Sequence, residues 1–324
     1  MSNIFKKNLV FGASGQDGFF MTRYLLQKKK YVIAVTRKSS PLLFALKKKY
    51  KQNLKIVYEN KINKTTFNKI FLIKNIKKIF FFIGYSKVPQ TPCERKKCYE
   101  ANYHIFKLLL HYLLEKKIFT KILYLSSGEI FGSNHKVKKN ENSTINPSNY
   151  YAKCKVKSLK LSRLFNKKHN FFISNAICFN HDSFLSPANH LIRKFINLSI
   201  NGKQKIIIYN KNEFRNCSHV YDFLIAFDKI LELPKPIEMI FGNNKNYKVV
   251  EIMKMIQNNL NKNIKIEWRI NKNYKTSRMA DNKKLIKELN YYPNFDLSKL
   301  IQRMIFYQKK NLYINKANTI LGNI

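Results

Sequence analysis

Short apolar runs alternate with longer segments of helical periodicity through the first half of the chain. Runs rich in β-branched and aromatic residues predict strands over residues 8–11, 31–36, 54–58, 79–83, 121–126 and 171–178. The spacing of apolar residues between them predicts helices over residues 19–29, 103–116 and 151–165. Continuous apolar strands between helices are typical of a parallel sheet covered on both faces, so we expect a doubly wound α/β fold of the Rossmann type.

The alternation loosens beyond residue 178. A loop containing Pro187 precedes a predicted helix at 191–200, a strand at 205–209, and helices at 220–231 and 249–260. We therefore expect a Rossmann domain at residues 1–178 and a smaller C-terminal α/β lobe at residues 179–324, with some segments of the lobe returning to the first domain.

Composition places the chain among ordinary globular proteins. With 324 residues, of which 45% are hydrophobic, it can bury a sizeable core. The most apolar run, at residues 79–83, is far shorter than the roughly 20 residues that span a bilayer. The five cysteines are odd in number and lack CxxC spacing, so we expect no disulfide framework and no metal site. A reducing, cytoplasmic location suits them best.

The formal net charge is +44, because the chain has 62 lysine and arginine residues but only 18 aspartate and glutamate residues. Such a surface attracts polyanions without specificity. The lysines are spread along the whole chain beside abundant Asn and Ile, which is typical of an AT-rich coding sequence. We expect no specific nucleic-acid partner and no membrane partner, while a small anionic substrate would be attracted. A polyanion-binding protein that has kept a Rossmann fold is the remote alternative.

Glycines are concentrated after the first predicted strand. The chain has nine glycines, and Gly12, Gly15 and Gly18 stand together between that strand and the first helix. Glycine allows a tight turn and a close approach to a pyrophosphate, which binds the free N–H groups of the helix N-terminus. The GxxGxxG spacing is typical of short-chain dehydrogenases. It predicts a dinucleotide site formed by Gly12, Ser14, Gly15, Gln16, Asp17 and Gly18.

The end of the second predicted strand bears on the choice of dinucleotide. Arg37, Lys38, Ser39 and Ser40 occupy the place where NAD enzymes carry an acidic residue for the ribose 2′-hydroxyl. Two cations and two hydroxyls suit a 2′-phosphate, so we expect NADP rather than NAD, bound by Arg37 and Ser39. The alternative is that Arg37 and Lys38 are two more cations of a lysine-rich chain.

A second cluster of motifs carries candidate catalytic residues. Tyr151 and Lys155 are four residues apart at the start of a predicted helix and therefore share a face. A phenol has a pKa of about 10, and a neighbouring cation favours its ionised form. Ser127 and Glu129 follow the strand at 121–126, at the sheet edge where ligands bind in doubly wound folds. The pattern predicts that Tyr151 deprotonates a substrate hydroxyl while Ser127 hydrogen-bonds the same oxygen.

These motifs resemble the extended short-chain dehydrogenases and, more narrowly, the GDP-mannose 4,6-dehydratase family, over nearly the whole chain. Residues 15–18 read GQDG, which is typical of that family, and residues 37–40 are similar to its RRSS. Residues 179–183 are similar to its FNHES loop, residues 193–194 to its RK pair, and residues 215–219 to its RDWGH.

The resemblance implies a redox-neutral dehydration of GDP-mannose or a close relative such as a GDP-heptose. Tyr151 would take the proton of the 4-hydroxyl as hydride leaves C4, and Glu129 would abstract the C5 proton. Water would then leave C6 and hydride would return there, giving a 4-keto-6-deoxy sugar. The substrate-binding residues that the resemblance implies are Ser86, Asn180, Arg193, Lys194 and Arg215. It also implies a homodimer or homotetramer that uses the helices at 103–116 and 151–165.

Some positions depart from the family pattern. Gly128 stands where the family has a hydroxyl residue, and Ser127 replaces its Thr. The segment after Ser40 is short, and the arginine-proline pair near the C-terminus is reduced to Arg278-Met279. A 4-keto-6-deoxy-sugar reductase or an epimerase of the same superfamily is therefore the alternative. We interpret His181 and His219 as structural.

Overall fold

The computed structural model describes residues 6–132, 137–202, 205–271, 277–293 and 295–309. In chain order its strands are β1 (Lys7–Phe11), β2 (Tyr31–Thr36), β3 (Leu54–Tyr58), β4 (Ile76–Phe81), β5 (Lys121–Ser127), β6 (Phe172–Cys178), β7 (Asn180–Asp182), β8 (Lys205–Tyr209), β9 (Phe214–His219), β10 (Glu238–Phe241), β11 (Asn246–Lys248) and β12 (Lys265–Arg269).

The helices surround these strands. They are α1 (Gln16–Gln27), α2 (Pro41–Lys49), α3 (Lys64–Phe71), α4 (Pro92–Tyr99), α5 (Ile105–Glu115), α6 (Tyr150–His169), α7 (Leu191–Ile200), α8 (Val220–Lys229), α9 (Val249–Leu260), α10 (Lys283–Leu289) and α11 (Leu297–Lys309). A π-helical segment (Glu100–His104) joins α4 to α5, and a 3-10 turn (Gly128–Phe131) follows β5. Within the described ranges, no helix combines the length and the apolar character needed to cross a bilayer.

Seven parallel strands form the central sheet, in the order β10-β6-β5-β4-β1-β2-β3. The order reverses between β1 and β4, which is the point where ligands bind in doubly wound sheets. This arrangement confirms the predicted Rossmann-type fold.

Both faces of the sheet are buried, because successive side chains of each strand point to opposite sides. Val10 packs in the layer of α1, α2 and α8, whereas Leu9 and Phe11 pack in the layer of α3 and α5. This explains why the central strands are continuously apolar rather than alternating.

Several predicted elements shift at their ends. The helix predicted at 19–29 begins at Gln16, directly on the glycine loop, and the strand predicted at 79–83 spans Ile76–Phe81. The helix predicted at 103–116 is α5, and its start is the π-helical segment that continues from α4. The predicted helix at 191–200, strand at 205–209 and helix at 249–260 coincide with α7, β8 and α9.

The C-terminal half contributes to two regions. The small sheets β11-β9-β7 and β12-β8 enclose, with α7, α9 and α11, a separate apolar cluster that includes Phe195, Ile252 and Ile301. In contrast, β10 pairs with β6 in the central sheet, and Phe223 and Phe227 of α8 belong to the core beneath it. The chain therefore returns to the first half of the molecule after residue 219.

Candidate active site

The glycine loop between β1 and α1 has the shape of a phosphate cradle. Gly12 adopts a φ of +76°, and a Cβ there would lie 2.9 Å from the carbonyl group of Phe82. A Cβ on Gly18 would lie 2.2 Å from the carbonyl oxygen of Gly12, and the Gly15 N–H donates to that same oxygen at 2.9 Å. Only glycine satisfies positions 12 and 18, and the loop leads directly into the N-terminus of α1. The cradle suits a pyrophosphate.

The glycine loop contacts the end of β2. The Thr36 hydroxyl donates to Oγ of Ser14 at 2.8 Å, which joins the loop to the strand. Arg37 and Ser39 are exposed just beyond it and make no hydrogen bond or ion pair with the described part of the chain. Their side chains are therefore available to a ligand at this edge.

Gln16 contacts the C-terminal lobe. Its Nε2 donates to the carbonyl oxygen of His181 at 3.1 Å, and its Oε1 accepts from the hydroxyls of Ser183 at 2.7 Å and Ser186 at 2.9 Å. Any contact of Gln16 with a dinucleotide would therefore come from its backbone N–H, and its side chain instead anchors the loop after β7.

Asp17 pairs with His181 across the same boundary, at 2.7 Å between Oδ1 and Nε2. The other ring nitrogen of His181 lies 2.9 Å from the carbonyl oxygen of Phe179. Burial alone would lower the pKa of His181, but the Asp17 carboxylate outweighs it and raises the pKa to about 9. His219 differs: its Nδ1 accepts from the Tyr221 N–H at the start of α8, and burial lowers its pKa to about 3. Both histidines have structural contacts, as predicted.

Tyr151 and Lys155 occupy the first turns of α6. Asn149 caps this helix, because its Oδ1 accepts from the Ala152 N–H at 2.9 Å. Tyr151 is half-buried, and the hydroxyl of Ser127, the last residue of β5, lies close to it. Burial raises the pKa of Tyr151 above its ordinary value, and the nearby Ser127 hydroxyl opposes that rise. The structure thus places Ser127 and Tyr151 close together, and their catalytic roles stay predictions.

Lys155 lies beneath the tyrosine. Its Nζ donates to the carbonyl oxygen of Leu125 at 2.7 Å and lies 5.9 Å from the centre of the Tyr151 ring. Burial lowers the pKa of Lys155 to about 8. A lysine whose proton affinity is reduced in this way can exchange a proton near neutral pH.

Glu129 lies in the turn after Ser127 and is held on both oxygens. Nε and Nη2 of Arg278 each lie 2.5 Å from Oε1, and Nδ2 of Asn149 lies 3.1 Å from Oε2. Sequence reasoning missed Arg278 and Asn149 as partners of this carboxylate. In the sequence, Arg278 is only a remnant of an arginine-proline pair, and Asn149 belongs to no motif.

Gly128 faces an aromatic ring rather than open space. A Cβ at this position would lie 2.9 Å from two ring carbons of Phe179, which is buried. The ring of Phe179 therefore occupies the volume that a hydroxyl-bearing side chain at position 128 would need.

Asn102 is another residue that the sequence did not single out. It is fully buried in the π-helical segment, and its side chain bonds both the N–H and the carbonyl oxygen of Tyr85. Its own carbonyl oxygen accepts from the hydroxyls of Tyr124 and Ser158. Asn102 thereby fixes the segment after β4 beside Lys155. An isolated asparagine in an asparagine-rich chain gives no signal of such a role.

Two of the predicted substrate-binding residues lie near this site. Cys178 is in register with Ser127 across β5 and β6, so exposed Asn180 follows close to the end of β5. Arg215 is half-buried on β9, whose Phe214 carbonyl oxygen accepts from the Arg278 N–H at 2.9 Å.

The other three predicted substrate-binding residues are Ser86, Lys194 and Arg193. Ser86 is exposed in the segment after β4, and Lys194 is exposed on α7. The guanidinium of Arg193 donates to the Ser186 carbonyl oxygen. Their contact with a substrate stays a prediction.

The site combines a tyrosine four residues before a buried lysine with a serine at the end of β5, at the switch point of a Rossmann sheet. This is the arrangement of the extended short-chain dehydrogenases and reductases. The protein is therefore a member of this class.

Comparison with known proteins narrows the class. The sequence profile described as GDP-mannose 4,6 dehydratase matches residues 9–304, and the chain belongs to that family. GDP-mannose 4,6 dehydratase of Dictyostelium discoideum is 23% identical over 295 residues, covering 83% of this chain and 79% of that protein. GDP-mannose 4,6-dehydratase sdnI of Sordaria araneosa is 21% identical over 273 residues, covering 81% of this chain but 49% of the relative, so the chain spans about half its length.

A solved structure supports the fold. The crystal structure of dTDP-glucose 4,6-dehydratase from Bacillus anthracis in complex with NAD superposes with a TM-score of 0.83 at 20% identity, covering 94% of this chain and 97% of that chain.

Proposed function

We propose that this protein is a nucleotide-sugar 4,6-dehydratase that acts on GDP-mannose or a closely related GDP-sugar. The observation that carries the proposal is the Glu129 carboxylate, fixed next to the Ser127–Tyr151 pair. A carboxylate in this place can take a proton from the carbon next to a new ketone, which a simple 4-keto reductase does not require.

NADP suits the glycine cradle, with Gly12, Gly15 and Gly18 around the pyrophosphate and Arg37 and Ser39 near the 2′-phosphate. When bound there, NADP would supply the hydride acceptor for C4 of the sugar and the hydride donor for C6. The preference for NADP over NAD rests on the exposed Arg37 and Ser39.

In the first step Tyr151 takes the proton of the sugar 4-hydroxyl through its phenolic oxygen, while Ser127 donates a hydrogen bond to the same oxygen. Burial raises the pKa of Tyr151 and disfavours its phenolate, so Tyr151 needs a neighbouring positive charge to act as a base. Lys155, whose pKa is lowered to about 8, supplies a positive charge below Tyr151.

In the second step Glu129 takes the C5 proton, which the C4 ketone has made acidic. The protonated carboxyl then gives its proton to the departing 6-hydroxyl, so that water leaves and Glu129 is ionised again. When C6 regains the hydride, C5 takes up a proton, which balances the one that Tyr151 took from the 4-hydroxyl, so the net change is the loss of one water. The side chain of Glu129 is 21% exposed, which leaves it accessible to a substrate.

The sugar nucleotide would be held through its diphosphate. Arg215 and Asn180 lie on neighbouring strands close to the end of β5, and the positive charge of the chain attracts such an anion. The family match favours a guanine nucleotide, while the similar fold of a dTDP-glucose dehydratase makes dTDP-glucose the natural competitor. We further propose a homodimer or homotetramer that assembles through α5 and α6 in the cytoplasm.

Mass spectrometry tests this function directly. The purified protein is incubated with GDP-mannose and catalytic NADP, with dTDP-glucose in a parallel reaction. We expect GDP-mannose to lose one water without net accumulation of NADPH. We expect Glu129→Gln to lower kcat at least about 100-fold and Tyr151→Phe to abolish turnover. NADPH consumption with a 4-keto-6-deoxy sugar, unaffected by Glu129→Gln, would instead identify a reductase.

A further inference from the structure

The Glu129 carboxylate receives three hydrogen-bond donors from two distant parts of the chain. Two come from Arg278, at 2.5 Å each on Oε1, and one comes from Asn149, at 3.1 Å on Oε2. An ionised carboxylate offers about four lone-pair positions. Three are therefore occupied, and the remaining position belongs to Oε2.

We propose that Arg278 and Asn149 are positioning residues that present Oε2 of Glu129 as the atom that accepts the C5 proton. The proposal rests on the proposed dehydratase function. The arginine contacts Oε1 and the asparagine contacts Oε2, so the two side chains together fix the orientation of the carboxylate.

Asn149 links the base to the catalytic helix. Its Oδ1 caps α6 by accepting from the Ala152 N–H at 2.9 Å, while its Nδ2 donates to Glu129. The two contacts require opposite ends of the amide, so they define its orientation. One side chain thereby fixes Glu129 relative to the helix that carries Tyr151.

Arg278 is itself held firmly. Its N–H donates to the carbonyl oxygen of Phe214 at 2.9 Å, and its side chain is 9% exposed. The segment that follows Arg278 is bonded to Lys139, whose N–H donates to the Met279 carbonyl oxygen and whose carbonyl oxygen accepts from the Asp281 N–H, each at 2.9 Å. The guanidinium therefore reaches Glu129 from a backbone that has little freedom to move.

The decisive variant is Arg278→Met, which removes both donors on Oε1. We expect kcat to fall about 100-fold with little change in KM, because a misplaced base slows the chemistry and not the binding. Oxidation at C4 would still occur, so reduced nicotinamide would accumulate during turnover and be seen by its near-ultraviolet absorbance. A substrate deuterated at C5 would show a larger isotope effect on kcat than it does with wild type. Arg278→Lys should recover part of the loss.

Asn149→Ser separates the two contacts of Asn149. A serine hydroxyl still caps the helix but does not replace the amide donor to Glu129, so we expect a smaller fall in kcat with the same accumulation of reduced nicotinamide. Arg163→Met is the matched control. Arg163 lies on α6, the helix that Asn149 caps, and makes a two-point ion pair with Glu238 of β10, at 2.7 and 2.6 Å. Its replacement should leave kcat unchanged.

Unaltered kcat in Arg278→Met, or a rise in KM without accumulation of reduced nicotinamide, would overturn the proposal.

Thermal unfolding of Glu129→Gln, Arg278→Met and the double variant adds a readout independent of activity. Coupling between the two residues predicts that the Tm loss of the double variant is smaller than the sum of the single losses, and additive losses would contradict the pairing. Lack of water release by wild type from either sugar nucleotide would overturn the proposed function, and with it the catalytic role of the pair, whatever the unfolding data show.

Discussion

The close packing of Gly128 against the ring of Phe179 predicts that a side chain at position 128 destabilises the protein. Replacing Gly128 by Ser would place a Cβ 2.9 Å from two ring carbons of a buried phenylalanine. Overpacking of this kind costs about 1–3 kcal/mol, so we expect Gly128→Ser to lower the free energy of unfolding by that amount in urea denaturation. Trimming the ring with Phe179→Leu in the same chain should recover much of the loss. Equal stability of Gly128→Ser and wild type would contradict this packing.

At the residue scale, the sequence predicted the parts of the site that depend on the spacing of nearby residues. Gly12, Gly15 and Gly18 form the expected loop, and Tyr151 lies next to Ser127 as expected. The partners of Glu129 could not be predicted, because Arg278 is 149 positions away and Asn149 is 20 positions away. Asparagine is abundant in this chain, and a single arginine outside a motif carries no signal of its own, so neither residue marks a site by itself.

At the scale of elements, α1 is tied to β7 by the ion pair of Asp17 and His181. The pKa of His181 is raised to about 9, above its ordinary value near 6.5, so the protonated ring stabilises the folded state. This contribution is fully present below about pH 6.5 and is lost as the pH rises through about 9. We expect the stability difference between wild type and His181→Gln in urea to be large at pH 6 and to shrink over this range.

Asp17→Asn is the companion variant, since it keeps the size of the side chain and removes its charge. It should be less stable than wild type at pH 6 and should lose the same pH dependence. A difference between wild type and His181→Gln that is independent of pH would show that the ring contributes by packing alone.

Elements with strong periodicity were predicted well, and those defined by distant pairing were not. Helices α7 and α9 coincide with their predicted ranges because apolar residues mark one face. Strand β9 carries a mixture of polar and apolar residues, and β10 has four residues, so neither gave a clear signal. Their strand character depends on partners that the local pattern does not contain.

At the scale of the whole molecule, the predicted boundary at residue 178 can be tested by truncation. The core on one face of the sheet includes Phe223, Phe227 and Phe241, all beyond that boundary. We expect a fragment of residues 1–178 to lack cooperative thermal unfolding and to aggregate, because this apolar face and the edge of β6 would be exposed. A fragment that unfolds cooperatively and binds NADP would instead establish residues 1–178 as an independent domain.

The position of β10 has a consequence for the order in which the protein is made. During translation, β6 leaves the ribosome well before Glu238–Phe241, so its outer row of N–H and C=O groups has no strand to pair with until much of the C-terminal half has followed. A nascent chain that pauses in this interval presents an open, apolar strand edge to its neighbours. Chaperone demand and co-translational aggregation should therefore be greatest while the segment between β6 and β10 is being synthesised.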